Sequence, residues 1–105
     1  MHIEVSTDNS IKGSEAITAQ ITGLVQHDLA YLAEHITRIE VHLSDANADK
    51  SGPDDIKCVL EARLKGQQPM AVTDSASTLE QATRGAAGKM KSALESTLGK
   101  LTDRR

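Results

Sequence analysis

Phenylalanine and tryptophan are absent from this 105-residue chain, and Tyr31 is its single aromatic side chain. Single-strand binders stack successive bases on several aromatics, so that class is excluded. The lone cysteine, Cys58, excludes a disulfide framework and a multi-cysteine zinc site. No apolar run approaches the roughly 18 residues of a membrane span. The N-terminus reads MHIEVSTD rather than a basic region followed by a greasy one. These absences lead us to expect a soluble, cytoplasmic protein with no membrane partner.

What remains is an aliphatic chain. Ten Leu, seven Ile and five Val, widened by thirteen Ala, supply a core at roughly 1.5–3 kcal/mol per buried aliphatic side chain. The length fits one domain, read here as residues 1–102 with a short basic tail at 103–105. The net charge of −3 conceals a polarity along the chain. Residues 1–55 carry three Lys/Arg against ten Asp/Glu, whereas residues 56–105 carry nine against five. Residues 81–105 alone hold six basic and two acidic side chains, and a basic terminal element commonly meets nucleic acid.

Periodicity divides the chain into six elements. His2 to Thr7 alternates as a half-buried strand with Ile3, Val5 and Thr7 inward. Ser14 is a plausible N-cap for a helix whose stripe Ile17, Ile21, Leu24, Val25, Leu29, Leu32 and Ile36 predicts helix to about His35. Arg38 to Leu43 alternates again. A turn-rich segment from Ser44 to Asp55 precedes a third strand, Ile56 to Arg63, with Cys58, Leu60 and Ala62 inward. Gly66-Gln67-Gln68 turns into a short fourth strand, Met70 to Thr73. Ser77-Thr78-Leu79-Glu80 has the form of a capping box. The last helix places Leu79, Ala82, Thr83, Ala86, Met90, Ala93, Leu94, Thr97 and Leu101 on one side. The expected fold is α+β, a two-layer β-α-β-β-β-α arrangement. Two helices pack on one face of a four-stranded mixed sheet whose first two strands are parallel.

Chemistry-bearing constellations are few. Asp45-Ala46-Asn47-Ala48-Asp49 opens like a calcium loop, yet Lys50 stands where the sharp turn needs Gly and Ile56 where a bidentate Glu is needed. An Asx-rich turn is expected there. His2, Glu4, Glu40 and His42 share the outward face of two strands and read as a polar sheet surface without a metal. His27 and His35 read as helix-surface residues, and Asp28, at the edge of the apolar stripe, as a paired carboxylate. Cys58 points inward as a protonated thiol. Ser14, Ser75 and Ser77 sit at caps, with no nucleophile elbow or glycine-rich phosphate loop. Neither an enzyme nor a cofactor is expected.

The last helix is more informative. Opposite its apolar stripe lie Gln81, Gly85, Gly88, Ser92, Ser96 and Gly99, a track of small side chains, with Arg84 and Lys91 on one flank and Lys89 and Lys100 on the other. Each helical glycine costs about 1 kcal/mol relative to Ala. Small residues admit another backbone closely, and flanking cations suit phosphates.

The stretch IEVHLSDANADKSGPDDIKCVLEARLKGQQPMAVTD, followed by a long Ala-rich helix with Lys89 and Lys91, resembles the ribosome hibernation-promoting factor family. That family includes the ribosome-associated inhibitor and was formerly called the sigma-54 modulation proteins. The length resembles its short members. The resemblance implies a fold like that of double-stranded-RNA-binding domains. It also implies binding to small-subunit rRNA in the channel used by messenger and transfer RNA, and stress-linked silencing of translation by occupancy. Lys89 fits a basic position of the family, whereas Ser92 and Ser96 stand where its members usually carry Lys or Arg. Arg84, Lys89, Lys91 and Lys100 are the expected RNA contacts, assisted by Arg104 and Arg105, with the small subunit as partner and no DNA. The alternative is a protein-interaction module of the same fold without rRNA affinity. Its Gly/Ser face would then pack on a partner helix or, by self-association, on a second copy.

Overall fold

The computed structural model describes residues 1–8, 11, 13–45 and 56–103, with 102 and 103 as helix backbone alone. The strands are β1 (His2–Thr7), β2 (Ile36–Asp45), β3 (Ile56–Leu64) and β4 (Met70–Ala76), and the helices are α1 (Glu15–Asp28) and α2 (Leu79–Asp103). The sheet order is β1-β2-β3-β4. β1 and β2 are parallel, with Ile3 opposite Ile39 and Val5 opposite Val41, and the other neighbours are antiparallel. This is the expected mixed sheet, joined across its parallel pair by the helical crossover.

Period two decides which side of the sheet is covered. Ile39, Val41 and Leu43 of β2 and Cys58, Leu60, Ala62 and Leu64 of β3 point into one buried layer. Ile21, Val25 and Leu29 meet that layer from the first helical segment, and Ala82, Ala86, Ala87, Met90 and Leu94 meet it from α2. The helices also pack on each other, with α1 over β1 and α2 over β3 and β4. A surface of aliphatic side chains under an Ala-rich helix allows close approach without aromatic filler. Thr83 is the only buried polar residue among those described, and its hydroxyl donates to the Leu79 carbonyl oxygen at 2.8 Å.

Several element boundaries differ from the sequence reading, and β3 runs one residue further than expected, to Leu64. α1 ends at Asp28, and a 3₁₀ segment, Ala30–His35, carries the chain to β2. Leu29, Leu32 and Ile36 remain buried, because spacings of three and four satisfy either helix type. Ile36 is therefore the first residue of a strand. β2 and β4 are longer than the alternation suggested, and a register shift at Thr37 is closed by its hydroxyl donating to the Arg63 carbonyl oxygen at 3.2 Å. At α2 the cap is Thr78, whose Oγ1 accepts from the Gln81 N–H at 3.1 Å, while Ser77 donates its hydroxyl proton to Gln81. Ser14 caps α1 as expected, accepting from the Ile17 N–H at 3.1 Å.

α2 extends through Asp103, the first residue of the expected tail. Residues 46–55, which hold the calcium-like stretch between Asp45 at the end of β2 and Ile56 at the start of β3, and Arg104 and Arg105 lie outside the described residues.

Candidate nucleic-acid interface

α2 is 25 residues long, about 37 Å at 1.5 Å per residue. Burial along it fades after Leu94: Thr97 and Leu98 are half-buried, and Gly99, Lys100 and Leu101 are exposed. The reading of Leu101 as part of the core stripe is corrected by its 40% exposure. The helix overhangs the layer it packs on, and Lys100 rides on the overhang with no ion-pair or hydrogen-bond partner among the described residues.

The other three candidate cations separate into two places. Arg84 and Lys91 line a groove of about 400 Å³ between α1 and α2, together with His27, Asp28, Tyr31, Ala87 and Gly88. The groove continues toward Gln20, Gly23 and Glu80, again past Arg84. Arg84 is paired with Glu80 one turn earlier, at 3.2 Å. Such an exposed pair is worth under about 1 kcal/mol and yields to a stronger anion. Lys91 Nζ lies 5.3 Å from the centroid of the Tyr31 ring, within the range of a cation–π contact.

Lys89 faces the opposite way, toward the edge of the sheet. Its Nζ donates to the Thr73 carbonyl oxygen at 2.7 Å and pairs with Asp74 at 3.1 Å. β4 is an edge strand, and a lysine on an edge carbonyl discourages further strand pairing. Asp74 has the inward parity of β4, opposite Cys58, where a bulky helix residue would exclude it. Gly85 makes room: a Cβ at that position would collide with the Asp74 carboxylate. Gly85 therefore belongs to the helix–strand contact and leaves the small-residue track, whereas Gly88 and Gly99 face open space. A mid-helix glycine and an acid at a core-facing strand position were the two legible signs of this contact.

Two residues of the groove were passed over in the sequence reading. In the sequence Tyr31 stands out only as the sole Phe, Trp or Tyr residue, and His27 only as a helix-surface residue. Tyr31 is 54% exposed. Partial desolvation first, then its hydrogen bond to Glu95 and the charge of that carboxylate, hold its hydroxyl above the ordinary 10.0. It is therefore a neutral donor at physiological pH. His27 Nδ1 lies 3.2 Å from Asp28. The uncovered face of the sheet carries its own pairs. Arg38 bridges Glu4 at 2.8 Å and Glu40 at 3.2 Å, and Ser6 meets His42 at 2.6 Å. These contacts tie up the His/carboxylate patch, and no cluster of three metal-ligating side chains occurs among the described residues. No helix among those residues is long and apolar enough to cross a membrane.

A family model described as "Sigma 54 modulation protein / S30EA ribosomal protein" matches residues 4–102. Two solved structures resemble the fold over nearly their whole length. The N-terminal domain of Protein Y from Thermus thermophilus aligns with a TM-score of 0.68 at 19% identity, covering 92% of this chain and 99% of its own. A ribosomal subunit interface protein from Coxiella burnetii aligns with a TM-score of 0.70 at 13% identity, covering 94% of this chain and 99% of its own. No curated protein matches the sequence at a significant level.

Proposed function

The chain belongs to the sigma 54 modulation protein / S30EA ribosomal protein family, and from that premise we propose that it is a cytoplasmic factor that binds small-subunit rRNA and silences translation by occupancy. It performs no chemistry, needs no cofactor, and uses residues 1–102 as one domain. The observation that carries this reading is the placement of the cations on α2. Arg84 and Lys91 border an open groove, and Lys100 projects from the overhang. Lys89 contributes only where a phosphate outcompetes Asp74. The names of the two structural relatives, one a ribosomal subunit interface protein, support the same partner.

A phosphate contact releases condensed counterions, so each one lost should lower the salt slope of binding by roughly one unit. Co-sedimentation of the purified protein with small subunits across a salt series tests this. Replacing Arg84, Lys91 and Lys100 with Gln is expected to weaken binding and flatten its salt dependence, and adding Lys89→Gln to change it least. Ser92→Arg with Ser96→Arg is expected to tighten binding. An unchanged slope in the triple variant would remove α2 from the RNA face. The second reading, a protein-interaction module, depends on a continuous track of small residues. That track is interrupted where Asp74 fills the space beside Gly85.

A further inference from the structure

The groove between α1 and α2 holds Tyr31, the one residue among Phe, Trp and Tyr that the chain contains, beside two of its cations, and this combination is more selective than charge alone. Tyr31 is exposed although nothing in the core requires it there, since Leu29 and Leu32 on either side supply the buried contacts. Its side chain is 54% exposed even with Lys91 Nζ over the ring at 5.3 Å from the centroid. Arg84 and Lys91 stand two helical turns apart, about 10 Å along the axis, and long side chains at that spacing can reach both sides of one nucleotide. Between them the floor of the groove is Gly88, where an added Cβ would meet nothing within 4 Å. Bare backbone thus lies beside an aromatic face, with a cation at each end. The carboxylates at the groove are each engaged, Asp28 with His27, Glu95 with the Tyr31 hydroxyl, and Glu80 with Arg84 in an exposed pair that a phosphate would displace.

We propose that this groove seats one unstacked nucleotide of the bound RNA, its base against the Tyr31 ring and its flanking phosphates on Arg84 and Lys91. The proposal rests on the RNA-binding reading above and adds a site to it. A π-face accepts any base, so the site recognises an extruded nucleotide without selecting its sequence. A single aromatic can do this where phosphate contacts supply the remaining affinity, in contrast to platforms that hold a whole single strand.

The test compares wild type, Tyr31→Phe, Tyr31→Leu and Gly88→Leu for binding to small subunits across salt. Tyr31→Phe keeps the ring and should bind within about twofold of wild type. Tyr31→Leu removes the stacking face, and Gly88→Leu fills the groove in a helix that gains propensity from the change. Each of these two should lose about tenfold or more in affinity with an unchanged salt slope, since no phosphate contact is deleted. Wild-type affinity in both leucine variants, or an equal loss in Tyr31→Phe, overturns the proposal and leaves the small subunit as partner.

A second arm follows the Tyr31 ring protons by NMR with isotope-labelled protein, whose only other aromatic signals come from four histidines. An RNA hairpin with one bulged adenine should shift the ring protons upfield, and the same hairpin without the bulge should not. If wild type ignores small subunits yet shows the bulge-specific shift, the nucleotide site stands and the partner was misassigned. Absence of both responses removes both readings.

Discussion

Cys58 shows how one side chain reports the register of a strand. It is fully buried, and its thiol is pushed up to about 11 from the ordinary 9.0. Burial is the main cause, with the Asp74 charge adding to the rise and the hydrogen bond with Thr83 opposing it. A one-residue slip of β3 would put Cys58 in solvent. Alkylation of the native protein near pH 8 should therefore be slower than in denaturant by about a hundredfold or more, since only the thiolate reacts. Equal rates would show β3 to be out of register. Because the folded-state value is the higher one, the unfolded chain loses its proton first as pH rises. Stability should be unaffected below about pH 9 and fall by roughly 2 kcal/mol as pH climbs from 9 toward 11. Cys58→Ala should abolish that part of the alkaline decline in denaturant titrations.

At the scale of elements, α2 is fixed on the sheet by a contact that helix propensity alone opposes. Gly85 lowers helix stability, yet it admits Asp74, and Asp74 holds Lys89 against the edge of β4. Gly85→Ala should cost at least about 1 kcal/mol despite the better helix former, because a crowded side chain must move and an ion pair must break. Gly99→Ala, into open space, should instead gain a few tenths of a kcal/mol. Asp74→Ala in the Gly85→Ala background should recover part of the loss, a coupling that thermal melts of the double-mutant cycle resolve. Additive effects would show that the two residues do not meet.

The same scale shows what the sequence made legible. Alternation in Ile39, Val41 and Leu43 and in Cys58, Leu60 and Ala62 led directly to strands and to the buried side of the sheet. The run from Leu29 to Ile36 misled, because a 3₁₀ turn and a continued α-helix bury the same positions. Charge located α2 as the candidate interface. It did not show that Lys89 turns toward Asp74 while Lys91 turns toward Tyr31, since those partners come from elements distant in sequence.

For the whole molecule, the fold puts both halves of the chain on each side, the four strands on one and α1 and α2 on the other, and the two sides differ in how their charges are paired. The uncovered side of the sheet carries like-charged rungs, Arg38 opposite Arg63 and Glu40 opposite Glu61. Like charges directly across a ladder are unfavourable, and here they are relieved locally. Arg38 turns to Glu4 and Glu40, and Arg63 donates to the Gln67 carbonyl oxygen at 3.2 Å. That surface is mixed and largely neutralised, whereas the helical side offers Arg84, Lys91 and Lys100 and has no Lys or Arg between Gly13 and Thr37. The two sides are separated by the buried layer and communicate through solvent only around its rim, a path longer than the roughly 8 Å Debye length at physiological ionic strength. Charges on the sheet should therefore be nearly invisible to an RNA bound at α2. Glu61→Gln should leave affinity for small subunits within about twofold and the salt slope unchanged, and it should raise stability by a few tenths of a kcal/mol by removing the repulsion from Glu40. Lys91→Gln should lower affinity several-fold and reduce the slope by about one unit. If Glu61→Gln tightened binding and steepened the slope while Lys91→Gln did neither, the sheet would be the face that meets the RNA, and the helices would face away from it.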